Sequence, residues 1–200
     1  MKTENFTIRP IHVDEISSVA TLLANAYYDD LFFHWCVADE NDRLSIVSEY
    51  YKIYLQSKGC IVHIAENSEQ KIIGATVWLP HDAEESMYEE IEKAVGKKYA
   101  PYFAEVAEKS HANEPKNTPF YQLVGFGVDE SAQGQGIGQA LLQYQLEILD
   151  KLGIPTYLEA SSEFTGAGVY GKFGYELYSD LMHFTDTAVL YPLFRQAKKG

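Results

Sequence analysis

The fold is decided by the stretch YQLVGFGVDESAQGQGIG at residues 121–138. Its pattern predicts a strand, a glycine-rich turn and the start of a helix. A glycine-rich turn that ends in a helix N-terminus can bind an anion, because free N–H groups converge where the helix dipole is positive. Glycines also let the backbone approach phosphate oxygens closely. The alternative is a tight turn that binds nothing.

Two common phosphate motifs do not fit this turn. A P-loop needs Gly-Lys followed by Ser or Thr, and residues 133–138 contain none of Lys, Ser and Thr. The dinucleotide fingerprint G-x-G-x-x-G, started at Gly134, needs a third glycine where the chain has Gln139. Glu159 does lie near the acidic position about 20 residues on. The missing glycine and the strand-rich N-terminal half disfavour that interpretation.

On both sides of this stretch, the spacing of apolar residues predicts further strands and helices. Strands are predicted at 6–11, 60–66, 71–79, 118–128, 155–160, 175–184 and 189–195. Helices are predicted from Asp14 to Tyr27 and at 40–57, 83–110, 136–152 and 164–172. Pro101 is expected to break or kink the third helix. The aromatic and acidic stretch 27–35 has no clean periodicity and predicts no element.

The resulting order, βααββαβαβαββ, predicts an α+β (mixed α/β) fold. No repeat or interdomain linker is evident, so we expect a single domain over residues 1–200. Cys36 and Cys60 have no metal-ligand spacing, and the six histidines form no HExxH motif, so we expect no metal. No signal-like segment or long apolar run is present, which predicts a cytoplasmic protein.

The chain is strongly acidic, with 16 Lys and Arg against 29 Asp and Glu and a net charge of −13. Such a surface repels phosphate backbones, so neither nucleic acid nor an anionic membrane is expected as a partner. Ordinary solubility also explains the charge. Between Lys116 and Lys151 there is no Lys or Arg at all, and the glycine-rich turn lies in this gap.

The motif Gln133-x-x-Gly136-x-Gly138, placed between a strand and a helix, resembles motif A of the GNAT superfamily of N-acetyltransferases. The later runs YLEASS at 157–162 and VYGKFGY at 169–175 resemble the family's next signature, in the correct order. The helix-loop-helix before Cys60, the strand end at 77–80 and the long acidic helix are similar to the branch that contains puromycin N-acetyltransferase. The resemblance implies a central mixed, mostly antiparallel sheet flanked by helices, with acetyl-CoA as co-substrate.

The resemblance also implies positions for the acetyl-CoA contacts. The pyrophosphate is expected at the loop, and the pantetheine arm along the preceding strand, with Ser162 standing where many members have Asn. The N–H of either Gly127 or Val128 is expected to polarise the thioester carbonyl. The implied cofactor-binding residues are Phe126, Gly127, Val128, Gln133, Gly134, Gln135, Gly136, Ile137, Gly138, Gln139 and Ser162.

For catalysis, the resemblance assigns Tyr170 as the acid that protonates the coenzyme A thiolate. Its ordinary pKa of about 10 lies above the ~8.5 of a thiol, so a neutral phenol can donate. Glu159 is the first candidate for the base, with a water-relayed route as the alternative. Tyr27, Asp29, Asp30 and Trp78 are candidates for the acceptor site, because aromatic rings and carboxylates suit a cationic amine.

The leading hypothesis is therefore an acetyl-CoA-dependent N-acetyltransferase that acts directly on the primary amine of a small molecule. Two alternatives stay open. One is a non-catalytic acetyl-CoA-binding sensor or interaction module, and the other is a protein or peptide N-acetyltransferase. Whether the chain forms a homodimer also stays open.

Overall fold

A mostly antiparallel sheet organises the chain, which we describe from a computed structural model at residues 6–81, 83, 87–163 and 168–198. The strands are β1 (Phe6–Pro10), β2 (Ile61–Asn67), β3 (Ile72–Pro80), β4 (Tyr121–Val128), β5 (Thr156–Ala160), β6 (Glu176–Leu177), β7 (Met182–His183) and β8 (Val189–Arg195). Their order across the sheet is β1-β2-β3-β4-β5-β8-β6, and β7 pairs with β8. The fold is the expected mixed α/β domain.

The junction between β4 and β5 is the one parallel pairing in this strand order. It comprises three residue pairs, from Tyr121↔Thr156 to Leu123↔Leu158. On its other edge β4 is bulged, because Val77 pairs with Gly125 while Trp78 pairs with Leu123. Beyond Leu123 the two strands no longer pair, so their facing edges are left open to a ligand.

Five α-helices in the described part of the chain flank the sheet. They are α1 (Ile16–Ala26), α2 (Leu31–Cys36), α3 (Glu40–Gln56), α4 (Tyr88–Asn113) and α5 (Ile137–Leu152). The buried positions of α5 recur at helical spacing, and Gly153 ends the helix in the left-handed conformation. No helix that the structure describes is both long and apolar enough to cross a membrane.

Glycines let helices approach the sheet from both sides. A Cβ on Gly127 would lie 2.8 Å from the Cβ of Ala26 in α1, and a Cβ on Gly125 would lie 3.2 Å from Leu23. A Cβ on Gly74 would instead meet α5, at 3.0 Å from Leu141. The two glycines of β4 therefore permit tight packing of α1 against one face of the strand. Since α1 covers that face, a ligand can approach β4 along its edge and not across this face.

Three details differ from the sequence prediction. The stretch after Asp30 forms α2, whose first turn is capped by the Asp30 carboxylate; six residues are too few to show a helical period. The break in α4 lies at Gly96 (φ 74°, ψ 163°), and Pro101 continues the second segment one turn later. The predicted strand 175–184 is divided into β6 and β7.

The predicted helix at 164–172 lies partly outside the described residues. Within them, Tyr170–Phe173 forms a 3₁₀ turn. Gly174 ends that turn with φ 92°.

Candidate active site

A cavity of about 900 Å³ opens where β4 and β5 separate. Its wall combines the edge of β4, the end of β5, the glycine-rich loop and side chains from α1 to α4. The opening follows from the short β4–β5 pairing described above, since neither strand covers the other's edge beyond Leu123.

The glycine-rich loop is held in place from both ends. Asp129 accepts from the N–H of Ser131 and forms an ion pair with Lys71 at 2.7 Å, which lowers the pKa of the Asp129 carboxyl. The Gln133 side chain donates to the carbonyl of Val128 at 3.3 Å. Thus Gln133 ties the loop to the end of β4 through its amide.

The backbone of the loop requires glycine at two positions. Gly134 and Gly136 have φ of 74° and 83°, and Gly136 is the N-cap of α5. The first N–H groups of α5 have no carbonyl one turn earlier to bind, so they point out of the helix end. This end of α5 lies on the cavity wall and fits a phosphate group.

Gly138 keeps the first turn of α5 against β4. A Cβ at this position would lie 2.8 Å from Cζ of Phe126. The ring of Phe126 therefore occupies the space that any larger residue would need. Both residues line the cavity.

Two backbone N–H groups of β4, those of Phe126 and Val128, face the cavity. The N–H of Phe126 donates to the hydroxyl of Tyr27 at 3.2 Å, and the N–H of Asp129 donates to the carbonyl of Ile73 in the opposite direction, towards β3. Since strand N–H groups alternate in direction, that of Val128 faces the cavity and that of Gly127 faces β3. Of the two predicted donors, geometry favours Val128.

Tyr170 lies on the cavity wall between the loop and the end of β5. Its side chain is 8 % exposed and packs near Phe126 and Tyr175, with ring centroids 6.2 and 5.9 Å away. Burial raises the pKa of its hydroxyl well above the ordinary 10. The phenol is therefore neutral at physiological pH and available as a proton donor.

Glu159 is a largely buried carboxylate at the end of β5. It accepts from the hydroxyls of Ser110 at 2.8 Å and Tyr157 at 3.0 Å. Burial raises the pKa of Glu159 to about 7, although both hydrogen bonds act to lower it. A carboxyl with this pKa gains and loses a proton near neutral pH, as a general base must.

A family model for acetyltransferases of the GNAT family matches residues 20–175. This range contains the loop, the β4 edge, Glu159 and Tyr170. The chain belongs to the GNAT acetyltransferase family. Members use acetyl-CoA, and the orphan N–H groups at the start of α5 fit its phosphates. No curated protein sequence matches this GNAT chain significantly.

Solved GNAT structures share the fold over almost the whole chain. A Corynebacterium glutamicum structure, described as histone acetyltransferase HPA2 and related acetyltransferase, has 18 % identity and a TM-score of 0.71, covering 98 % of both chains. Drosophila melanogaster polyamine N-acetyltransferase has 18 % identity and a TM-score of 0.66, covering 96 % and 99 %. A mosquito arylalkylamine N-acetyltransferase-like protein has 22 % identity and a TM-score of 0.60, with the same coverage.

Most of the residues that sequence predicted for this GNAT site line one cavity. Those on its wall are Phe126, Gly127, Val128, Gln133, Gly134, Gly136, Ile137, Gly138, Gln139, Glu159 and Tyr170, together with Tyr27 and Asp30. Gln135 and Ser162 are not on the wall. The Gln135 side chain turns back to the carbonyl of Ser131 at 3.5 Å.

Two of the four acceptor candidates lie away from the cavity. Trp78 is 0 % exposed and packs in the core beneath α5, where β3 alternation directs it. Asp29 is exposed to solvent and does not line the wall. An amine in the cavity would reach neither side chain.

The sequence interpretation missed three contributors to the wall. Lys172 brings a positive charge from the 3₁₀ turn, and Ser110 brings from α4 the hydroxyl that binds Glu159. The third is a group of aromatic side chains from α2, α3 and α4. Nothing local in the sequence indicated that these side chains meet at a cavity. Among the described residues, no cluster of His, Cys, Asp and Glu has a metal-binding arrangement.

Proposed function

We propose that this GNAT acetyltransferase moves the acetyl group of acetyl-CoA directly to the primary amine of a small molecule. One observation carries the proposal: Glu159 and Tyr170 open on the same cavity as the anion-binding start of α5. A base, an acid and a phosphate site are the parts that this transfer requires. They come from β5, the 3₁₀ turn and the β4–α5 junction.

On the donor side, the N–H groups at the start of α5 bind the pyrophosphate of acetyl-CoA. The pantetheine arm follows the open edge of β4, where it replaces the missing strand. The N–H of Val128 donates to the thioester carbonyl and stabilises the negative charge that develops there. Lys172 adds a positive charge on the same wall.

On the acceptor side, Glu159 takes a proton from the ammonium group, directly or through one water. Once Glu159 has released that proton to solvent, the free amine attacks the thioester carbonyl and the C–N bond forms. The nitrogen then gives its second proton to Glu159 as the C–S bond breaks. Tyr170 gives its proton to the leaving thiolate, and a proton from solvent restores the phenol. Tyr27 holds the N–H of Phe126, and Asp30 holds the start of α2, so both shape the wall around the amine.

Two of the three structural neighbours support a small amine as acceptor. The Drosophila enzyme is described as a polyamine N-acetyltransferase that forms N-acetylagmatine, and the mosquito protein as arylalkylamine N-acetyltransferase-like. Placement in the puromycin N-acetyltransferase branch stays a prediction, as do a cytoplasmic location and the oligomeric state.

The test is an amine panel with acetyl-CoA, read as release of the coenzyme A thiol and as acetylated product by mass spectrometry. We expect turnover with at least one small primary amine and little with peptides. Tight acetyl-CoA binding without turnover on any amine would favour the non-catalytic module. Faster acetylation of peptides than of small amines would favour a protein N-acetyltransferase.

A further inference from the structure

The cavity has an apolar wall on its acceptor side. We call this the acceptor wall, and its residues are Phe33, Tyr50, Tyr54, Ile91, Phe103 and Val106. They come from α2, α3 and α4, which cover the sheet face opposite α5. Pockets of this kind recognise apolar substituents through contact area.

The rings of the acceptor wall pack into one cluster. Tyr50 is at its centre, with ring centroids 4.8 Å from Phe103, 4.7 Å from Tyr54 and 6.3 Å from Phe33. The hydroxyls of Tyr50 and Tyr54 form a hydrogen bond with each other at 2.6 Å. Since that bond engages both hydroxyls with each other, the cluster offers mainly ring surface to an acceptor.

Two carboxylates line the cavity within the described part of the chain, Asp30 and Glu159. Both oxygens of Asp30 are engaged, one by the N–H of Phe32 at 2.9 Å and the other by the hydroxyl of Ser161 at 2.5 Å. Glu159 is assigned to the reacting amine. The six residues of the acceptor wall itself carry no carboxylate, so a second ammonium group packed against them would contact rings and aliphatic groups.

On the basis of the proposed function, we propose that the preferred acceptor is a primary monoamine with an aromatic or bulky aliphatic substituent, ahead of a diamine or polyamine. The amine lies at Glu159, and its substituent packs on the acceptor wall. An aromatic substituent gains edge-to-face contacts there. A distal ammonium packed against this wall would lose more hydration than an alkyl or aryl group does, which is costly.

The first test compares kcat/KM of the wild-type chain for matched amines at one pH. We expect 2-phenylethylamine to exceed both putrescine and agmatine by about a hundredfold, as a well-filled apolar pocket allows. In a series of n-alkylamines, kcat/KM is expected to rise by about fourfold per methylene until the wall is covered. Equal or better turnover of agmatine or putrescine overturns the inference while the proposed function stands.

The second test changes the wall itself. Phe103→Leu should reduce the preference for 2-phenylethylamine over agmatine about tenfold and leave the KM for acetyl-CoA unchanged. Phe194→Leu, in β8 and outside the cavity, is the matched control and should not alter the preference. A folded Phe103→Leu protein with the wild-type preference also overturns the inference.

A third variant avoids the risk of misfolding. Ala107 is an exposed residue of α4 that lines the cavity, so Ala107→Glu adds a carboxylate without opening the core. We expect it to raise the ratio of agmatine to 2-phenylethylamine turnover at least about tenfold, because the distal ammonium then has a partner. An unchanged ratio counts against the inference. If no amine is acetylated although acetyl-CoA binds, the proposed function itself fails.

Discussion

Replacing Glu159 with Gln should make the protein more stable and less active at the same time. The substitution keeps the shape of the side chain and one acceptor oxygen for Ser110 or Tyr157, and its amide nitrogen donates to the other hydroxyl, but it removes the titration. A pKa raised from 4.5 to about 7 means that ionising Glu159 in the folded protein costs about 3 kcal/mol more than in the unfolded chain.

The free energy of unfolding depends on pH because the pKa of Glu159 is higher in the folded protein than in the unfolded chain. Below pH about 4.5 both states hold the proton, and no penalty applies. As the pH rises towards 7, the unfolded chain loses the proton first, so the wild-type protein loses stability across this window and stays at the lower value above it. The difference in unfolding free energy between Glu159→Gln and wild type should therefore grow to about 3 kcal/mol by pH 8, measured by urea denaturation.

Activity should change in the opposite direction over nearly the same range. About a tenth of Glu159 is ionised at pH 6 and about nine-tenths at pH 8, so the wild-type advantage in kcat/KM should rise roughly tenfold between them. At pH 8 the variant should be about 10²- to 10⁴-fold slower. Glu147→Gln, an exposed change on α5, is the matched control and should alter neither quantity. A rate ratio that does not vary with pH would refute the role of Glu159.

Three further predictions concern the donor side. Tyr170→Phe should lower kcat about 10²-fold or more with the acetyl-CoA dissociation constant within about threefold, measured by stopped-flow and calorimetry; unchanged turnover would remove its acid role. Gly127→Ala should cost about 1–3 kcal/mol of stability, since its Cβ would lie 2.8 Å from that of Ala26, and an unchanged thermal midpoint would contradict this packing. Coenzyme A affinity should fall less than about tenfold from roughly 50 to roughly 500 mM NaCl, because the proposed phosphate donors are neutral N–H groups and Lys172 is the one cationic side chain among the described wall residues. A steeper loss of affinity would indicate that further Lys or Arg side chains bind the phosphates.

Local signals in the sequence predicted the strand, the glycine-rich turn and the helix that follows it. The positive φ of Gly134 and Gly136 and the start of α5 after them follow from glycine chemistry and helical spacing. The acceptor side depends on distant pairings that no local pattern carries. Trp78 shows this: an aromatic residue at a strand end suits an amine site, but strand alternation turns its ring under α5.

The sequence also misplaced the break in α4 and missed α2. A proline inside a helix clashes with the carbonyl four residues earlier, which predicts a break at Pro101. Because the helix is already interrupted at Gly96, Pro101 lies near the start of the second segment, where little helix precedes it. Helix α2 is too short for a period to be visible, and its start is fixed by Asp30, whose other oxygen reaches Ser161 at the end of β5. That long-range contact cannot be read from either segment alone.

The cleft-facing N–H groups of β4 have a consequence for divergence. A main-chain donor is present whatever side chain the residue carries, so point substitutions along this edge leave it in place unless they introduce proline. Selection on the donor site then acts on strand geometry and on a few glycines more than on residue identity. Chains with 18 % identity share this fold over almost their full length. In such a scaffold, new specificities can evolve with little risk to the shared half of the reaction.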